Sequence, residues 1–304
     1  MKAGRVKTGQ VDPREPKPLV LCADDFALHA GASDGIVRLA RSGRLSATSV
    51  MALSPHWPQH AAPLRELRGR VDVGLHLDWT SPFARAAGHG MPLAAAMRRA
   101  LLGGFDRAAA RTVIARQLDR FEAEWQAPPD HVDGHQHVQQ FAGIREALLD
   151  LLSERYPQHP PYLRVSRVLH GTGQPAGVKT RIISALGARA LAREADRRGL
   201  PRAEALLGVY DFAGDEDRYA KLMDGWLAAA PGGGLVMCHP ASAADPVNER
   251  DSGGPADARD EIGAARQREF RYLAGERFAE ALVRAHATLV RGSSRYASHY
   301  TRRR

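Results

Sequence analysis

Short apolar runs that stop on polar residues, and that alternate with helix-spaced segments, constrain the fold of this 304-residue chain more than any other feature. The first such run, Leu19-Val20-Leu21-Cys22-Ala23, is continuous and apolar, as in a strand covered on both faces of a parallel sheet, and it stops at Asp24-Asp25. Helical spacing follows over 34–41, where Ile36, Leu39 and Ala40 share a face before the stop at Gly43. The same alternation predicts strands over 45–53 and 71–75 with a helix over 57–67 between them, then a helix over 108–125, a strand over 131–133 and a helix over 144–152. A strand over 162–165, a helix over 181–198, a strand over 235–238 and helical periodicity over 264–289 complete the series. Repeated βα units without a Gly-rich dinucleotide fingerprint predict an α/β fold, a single distorted (β/α) barrel of mainly parallel strands.

The ends read differently. Residues 1–17 are polar and proline-containing and are expected as a mobile arm, 18–292 as the barrel domain, and 293–304 as a basic C-terminal tail. The Gly-, Ala- and Pro-rich stretch 81–106, with a short helix over 93–102, and the Asp-, Pro- and Gly-rich stretch 241–263 are expected as loops beside a site. No run approaches the roughly 18 apolar residues that cross a bilayer, and the first residues lack the apolar segment of a secretory signal, so a cytoplasmic location without stable membrane insertion is expected. The formal net charge of +9 is spread along helix-like segments and is not interleaved with aromatics. It therefore predicts a solvated surface and no nucleic-acid partner. Cys22 and Cys238 each lie in an apolar run and read as free buried thiols.

Polar clusters fall at the downstream ends of five strand-like runs: Asp24-Asp25, His76, the segment His131 to His137, Arg164 and His239. In a parallel barrel those ends converge on one mouth. In the adjoining pair Asp24-Asp25, one carboxylate can ligate a cation while its neighbour serves as a base; a turn or N-cap pair is the plainer alternative. His76 and His239 would each pass for an ordinary core or capping histidine if alone. The run His131-Val132-Asp133-Gly134-His135-Gln136-His137 places three imidazoles and a carboxylate within seven residues, a density suited to ligating and orienting a cation. Asp25, His76 and His135 would supply three ligands and leave a position open for water, with His239 as a separate proton donor to a leaving amine.

At these residues the chain resembles the YdjC-type carbohydrate deacetylases, the group of chitooligosaccharide and hopanoid-associated deacetylases. The resemblance rests on Ala23-Asp24-Asp25-Phe26, Gly43-Arg44-Leu45-Ser46-Ala47-Thr48-Ser49, Val73-Gly74-Leu75-His76-Leu77, His131 to His137 and Met237-Cys238-His239-Pro240, in that order. Arg266 and Glu269 resemble a late Arg-x-x-Glu element. The resemblance implies a distorted (β/α) barrel and a metal-dependent removal of an N-acetyl group from an amino sugar or glycoconjugate. It implies Asp24 as general base, Asp25, His76 and His135 as ligands of one divalent cation (Mg2+ or Zn2+), His239 as acid, and Arg164 as the group orienting the catalytic carboxylate. His131, Asp133, His137 and Phe26 are expected around these, holding ligands or touching substrate, and a homodimer is the expected self-association. Three residues depart from the family pattern: Ala27 stands where glycine is usual, His29 where a small hydroxyl residue is common, and Gln139 where a histidine often stands. Two other readings compete with deacetylation. One is a metal-dependent phosphoesterase or other amidohydrolase, which would want further carboxylate ligands; the other is a catalytically silent sugar- or metal-binding module.

Overall fold

The computed structural model of the protein describes residues 15–169, 185–243 and 260–301. Among the described residues eight parallel strands form one sheet: β1 (Lys17–Phe26), β2 (Ala47–Val50), β3 (Asp72–Leu77), β4 (His131–Gly134), β5 (Tyr162–Leu163), β6 (Leu206–Leu207), β7 (Gly234–Cys238) and β8 (Ala287–Leu289). The strand order is β5-β4-β3-β2-β1-β7-β6, with β8 beside the first half of β1. The sheet curls until its two edges meet. Single parallel bridges, Leu163 to Arg202 and Val168 to Leu206, join the β5 side to the β6 side. The expected distorted α/β barrel is the fold observed.

Between the strands run α1 (Ala30–Arg41), α2 (Trp57–Arg65), α3 (Pro82–Ala86), α4 (Leu93–Leu101), α5 (Arg107–Trp125), α6 (Ile144–Arg155), α7 (Ala188–Arg198), α8 (Glu216–Ala229), α9 (Gly263–Ala274), α10 (Glu276–Arg284) and α11 (Gly292–Thr301). No described helix is long and apolar enough to cross a membrane. Several boundaries differ from those expected. Helix α1 starts four residues early because the His29 ring accepts a hydrogen bond from Ala32 N and caps it. The helical periodicity over 264–289 resolves into two helices and a strand, since Gly275 ends α9 with extended backbone. Helix α8 and the two-residue β6 were not anticipated, and 292–301 forms a helix docked on the barrel, where Ser293 N donates to Asp72 Oδ2 at 2.7 Å. The N-terminal residues 1–14, the start of the expected 181–198 helix, most of the 241–263 stretch and the last three arginines lie outside the described residues.

Strand alternation sorts side chains into two layers. Leu19, Leu21 and Ala23 face outward into the large core shared with the helices, as do Val73, Leu75, Leu77, Val132, Leu163, Val236 and Cys238. Val20, Cys22, Ala47, Tyr162, Leu206, Leu235 and Met237 face inward and, with Tyr296 from α11, plug the barrel. The next inward positions up each strand carry no apolar side chain. They are Asp24, Ser49, His76, Asp133, Arg164 and His239, and together they line the mouth.

Candidate active site and metal centre

By alternation Asp24 follows Val20 and Cys22 inward, and Asp25 should turn outward into the core. It does not. The β1–β2 register shifts between Ala23 and Phe26, and Asp25 takes a left-handed backbone conformation with φ 67°, so the bulge swings a second carboxylate into the mouth. Ala27 repeats this with φ 66°, which accounts for glycine being the usual residue there.

Asp25 Oδ1 lies 3.1 Å from His135 Nδ1 and 3.4 Å from His76 Nε2. One donor atom from each of the three lies within 4.8 Å of the other two. Two donors each bound at about 2.0–2.2 Å to one ion would sit at this spacing, so the residues fit a divalent cation. His76 Nδ1 donates to Asp133 Oδ1 at 2.6 Å, which fixes the ring so that Nε2 points toward Asp25 and His135. His135 keeps 21% of its side chain exposed, while Asp25 and His76 keep 2%, so the opening lies on the His135 side. His135 reaches this place because the chain breaks from β4 into a tight 3-10 turn, His135–Gln140, with left-handed backbone at Gln136 and His137.

Among the described residues two further groups of potential ligands lie beside this one: Asp24 with His76 and Asp133, which shares His76 with it, and Cys22 with His131 and Asp133, which shares none of its members. Both are wholly buried and both include Asp133, whose Oδ2 lies 3.1 Å from Arg164 Nη1. A guanidinium at that distance already supplies the positive charge a cation would bring. Burial also pushes the Cys22 thiol well above its ordinary 9.0, away from the thiolate a metal needs.

Asp24 is fixed by one oxygen. Its Oδ1 accepts from Arg164 Nη1 at 2.6 Å and Ser49 Oγ at 3.2 Å, while Oδ2 faces His239 Nε2 at 3.9 Å. Burial opposes ionisation of Asp24, but Arg164 and His76 outweigh it and hold the carboxyl below its ordinary 3.8. Burial likewise opposes charge on Asp25 and Asp133, and Arg266 and Arg164 respectively keep both well below 3.8. The largest influence on His76 is burial, which lowers its pKa; Asp133 and Asp24 overcome it and lift the imidazole to about 10. Asp24, Asp25 and Asp133 against Arg164 and Arg266 leave one negative charge in excess among these five groups, beside which His76 keeps its proton. His239 responds in the opposite way: burial brings it down to about 4, so it carries no proton at rest near neutrality.

Other expected residues lie elsewhere. His131 is fully buried one layer below the mouth, stacked on Tyr162 with its Nε2 3.6 Å from Asp133 Oδ2, so it braces Asp133 and cannot touch substrate. Phe26 is also fully buried, edge-on to Trp57 in the helix layer, and does not reach the mouth. His137 turns to Ser166, with Nδ1 2.9 Å from Oγ, and burial lowers it to about 3. Gln139 donates to the Arg164 carbonyl at 2.9 Å.

Sequence reasoning left Ser49 without a role and gave none to Arg266 and Glu269. Both of the latter project from α9 into the site. Arg266 Nη2 donates to Asp25 Oδ2 at 2.7 Å, and Glu269 Oε2 accepts from His239 N at 2.6 Å while its Oε1 accepts from Tyr210 OH at 2.6 Å. Their spacing of three on a helix, with a charged group at each position, was the available signal.

The family model described as YdjC-like protein matches residues 18–284. Chitooligosaccharide deacetylase of Proteus mirabilis (strain HI4320) is 29% identical over 163 residues, covering 50% of this chain and 60% of the relative. That of Serratia marcescens is 31% identical over 136 residues, covering 40% of this chain and 50% of the relative. The matched part thus spans little more than half the length of these curated relatives. Among solved structures, one from Enterococcus faecalis V583, provisionally described as a cellobiose-phosphate cleavage protein, matches with TM-score 0.65 at 19% identity, over 93% of this chain and 100% of that one. The Xyl-CE4 domain of a multidomain xylanase from the hindgut metagenome of Trinervitermes trinervoides matches at 0.50 and 8% identity, over 94% and 92%. The barrel is thus shared with both, and because the family match runs from β1 through α10 across every strand that lines the mouth, the chain belongs to the YdjC-like family.

Proposed function

We propose that the protein is a metal-dependent hydrolase that removes the acetyl group from an N-acetylated amino sugar, as the names of its curated relatives suggest. One observation carries the reading: a carboxylate with a free oxygen, a neutral imidazole and a three-residue cation site share a single mouth. Asp25, His76 and His135 would hold the cation. When bound, it would polarise an amide carbonyl and lower the pKa of a water to about 7.

Asp24 is ionised at neutral pH and offers Oδ2, so it can take the proton of an attacking water. Arg164 and Ser49 hold its other oxygen and prevent it from rotating away. His239 has no proton to give at rest, so a donor role requires one delivered during turnover. Asp24, 3.9 Å away, is the source: the proton taken from water passes to His239 and on to the departing amine. Atoms and charge balance as one amide and one water going to acetate and a protonated amine, the C–O bond to water forming, the C–N bond breaking and water's two protons ending on the nitrogen.

Two imidazoles and one carboxylate suit Zn2+ by ligand type, and Mg2+ remains the other candidate. Metal analysis of the purified protein decides between them, and one ion per chain favours deacetylation over a two-metal phosphoesterase. The activity itself is tested by acetate release from N-acetylated chitooligosaccharides, N-acetylglucosamine conjugates and glycosylated lipids, with and without added cation. Asp24→Asn is expected to keep the metal and lose activity by about 100-fold or more. Near-normal turnover in that variant contradicts the assignment.

A further inference from the structure

The mouth contains a constraint that neither the sequence motifs nor the relatives' names explain. Asp25 shows its two oxygens to different partners: Oδ1 faces His135 and His76, and Oδ2 is taken by Arg266 Nη2 at 2.7 Å. Arg266 is only 3% exposed and comes from α9, remote in sequence. Its Nε donates to Asp260 Oδ2 at 2.9 Å, and the same oxygen lies 3.3 Å from His29 Nε2. His29 in turn caps α1 through Nδ1, so Arg266 is braced between Asp25 and a fixed point on a second helix. A divalent cation repels a guanidinium, so a buried arginine one carboxylate away from it costs affinity, and the repulsion is less screened there than in water. Its placement needs a compensating use.

We propose that Arg266 is a positioning residue that restricts Asp25 to ligation through one oxygen and so keeps a coordination position free for water and substrate. A carboxylate beside a divalent cation can bind through one oxygen or both. With Oδ2 donated to by a braced guanidinium, only Oδ1 is available. The two histidines and Oδ1 then leave the remaining positions open, as hydrolysis requires. His29 and Asp260 serve the same end from behind, since they set the guanidinium plane. This rests on the cation site proposed above, but not on the identity of the substrate.

The test is the visible absorption of the Co2+-loaded protein, read beside Co2+ affinity by calorimetry. Arg266→Met frees Oδ2 with an apolar side chain of similar length, and Arg266→Gln does so while leaving Asp260 a polar neighbour should the first variant fold poorly. Both are expected to weaken the Co2+ bands as the coordination number rises, to bind Co2+ as tightly as the parent or more so, and to release acetate about 10- to 100-fold more slowly. A variant that folds, binds Co2+ and shows the parent's spectrum overturns the proposal, whatever its activity. So does a spectrum that changes only through loss of the ion. If the spectrum shifts as expected but the parent releases no acetate from any N-acetylated sugar, the substrate reading falls and this one stands; a parent that takes up no Co2+ removes both.

Discussion

Asp133 makes the clearest case for what individual side chains do. It touches no open part of the mouth, yet it binds His76 Nδ1 at 2.6 Å and faces Arg164 at 3.1 Å, so it orients one proposed ligand and shares the group that fixes the proposed base. Asp133→Asn is expected to weaken cation binding by about 10- to 100-fold, measured by competition with a chelating dye. His76 makes a second prediction. Its imidazole holds a proton up to about pH 10 in the metal-free protein, and a ligating nitrogen must give that proton up. Cation uptake at pH 7 should therefore release close to one proton, seen as a calorimetric enthalpy that varies with the buffer's ionisation enthalpy, and affinity should rise with pH across the neutral range. Buffer-independent enthalpy would show that His76 is not a ligand. Ala27, with φ 66°, holds a conformation costly to any residue with a Cβ, so Ala27→Gly should raise the unfolding free energy by about 1 kcal/mol in urea melts. Asp24 was legible as an inward group because it continues the alternation of Val20 and Cys22. Asp25 was legible only through the motif, since nothing in its neighbours announces the left-handed bulge that turns it inward.

Among the elements, strands β3 and β4 show how close backbone approach builds the site. A Cβ at Gly74 would sit 2.4 Å from the His131 ring, so glycine there is what lets His131 pack beneath Asp133. Gly74→Ala is expected to destabilise by about 1–3 kcal/mol and to lower cation affinity as His131 is displaced against Asp133, read from urea melts and metal titration of the same variant. Helix α9 was visible in the sequence as periodicity, but its end was not, because Gly275 and the short β8 beyond Arg284 break the pattern over only a few residues. Strand β6 has two residues and offers no period to read, whereas helix α8 carries one: Tyr219, Leu222, Met223, Trp226 and Leu227 recur at helical spacing behind the Asp215 N-cap, a signal the sequence held that the expected elements left out. Long, strongly patterned elements needed no such help: α5 begins one residue before its expected start and ends where expected, and β1 contains the whole expected run Leu19–Ala23, extended by two residues before it and three after.

For the whole molecule, burial of charge makes stability depend on pH, with different groups acting in opposite senses. Glu269 is fully buried, and burial raises it from its ordinary 4.5 to about 7. The unfolded chain gives up this proton near pH 4.5 while the native protein keeps it to about pH 7, so at this group the native state binds more protons in between and the group's contribution to stability falls as pH rises across that range; the buried His239 and His137, lowered to about 4 and about 3, contribute in the opposite sense below pH 6.5. Asp25 and Asp133 also act in the opposite sense to Glu269: with native values well below 3.8, their contribution is present above that value and is lost only in stronger acid. The unfolding free energy of the metal-free parent minus that of Glu269→Gln should therefore fall as pH rises from about 4.5 to 7 and level off above, read from urea melts of both at each pH. The barrel and its mouth were legible because five polar strand ends recur in one topological position; the bracing from α9 was not, because contacts between Asp25 and Arg266, 241 residues apart, leave no local pattern. The central claim is that side chains from β1, β3 and the turn after β4 hold one ion. Anomalous scattering from a crystal soaked in Zn2+ tests it directly: the account predicts one peak within about 2.0–2.3 Å of Asp25 Oδ1, His76 Nε2 and His135 Nδ1 together. A peak among Cys22, His131 and Asp133, or none near His76, would contradict it.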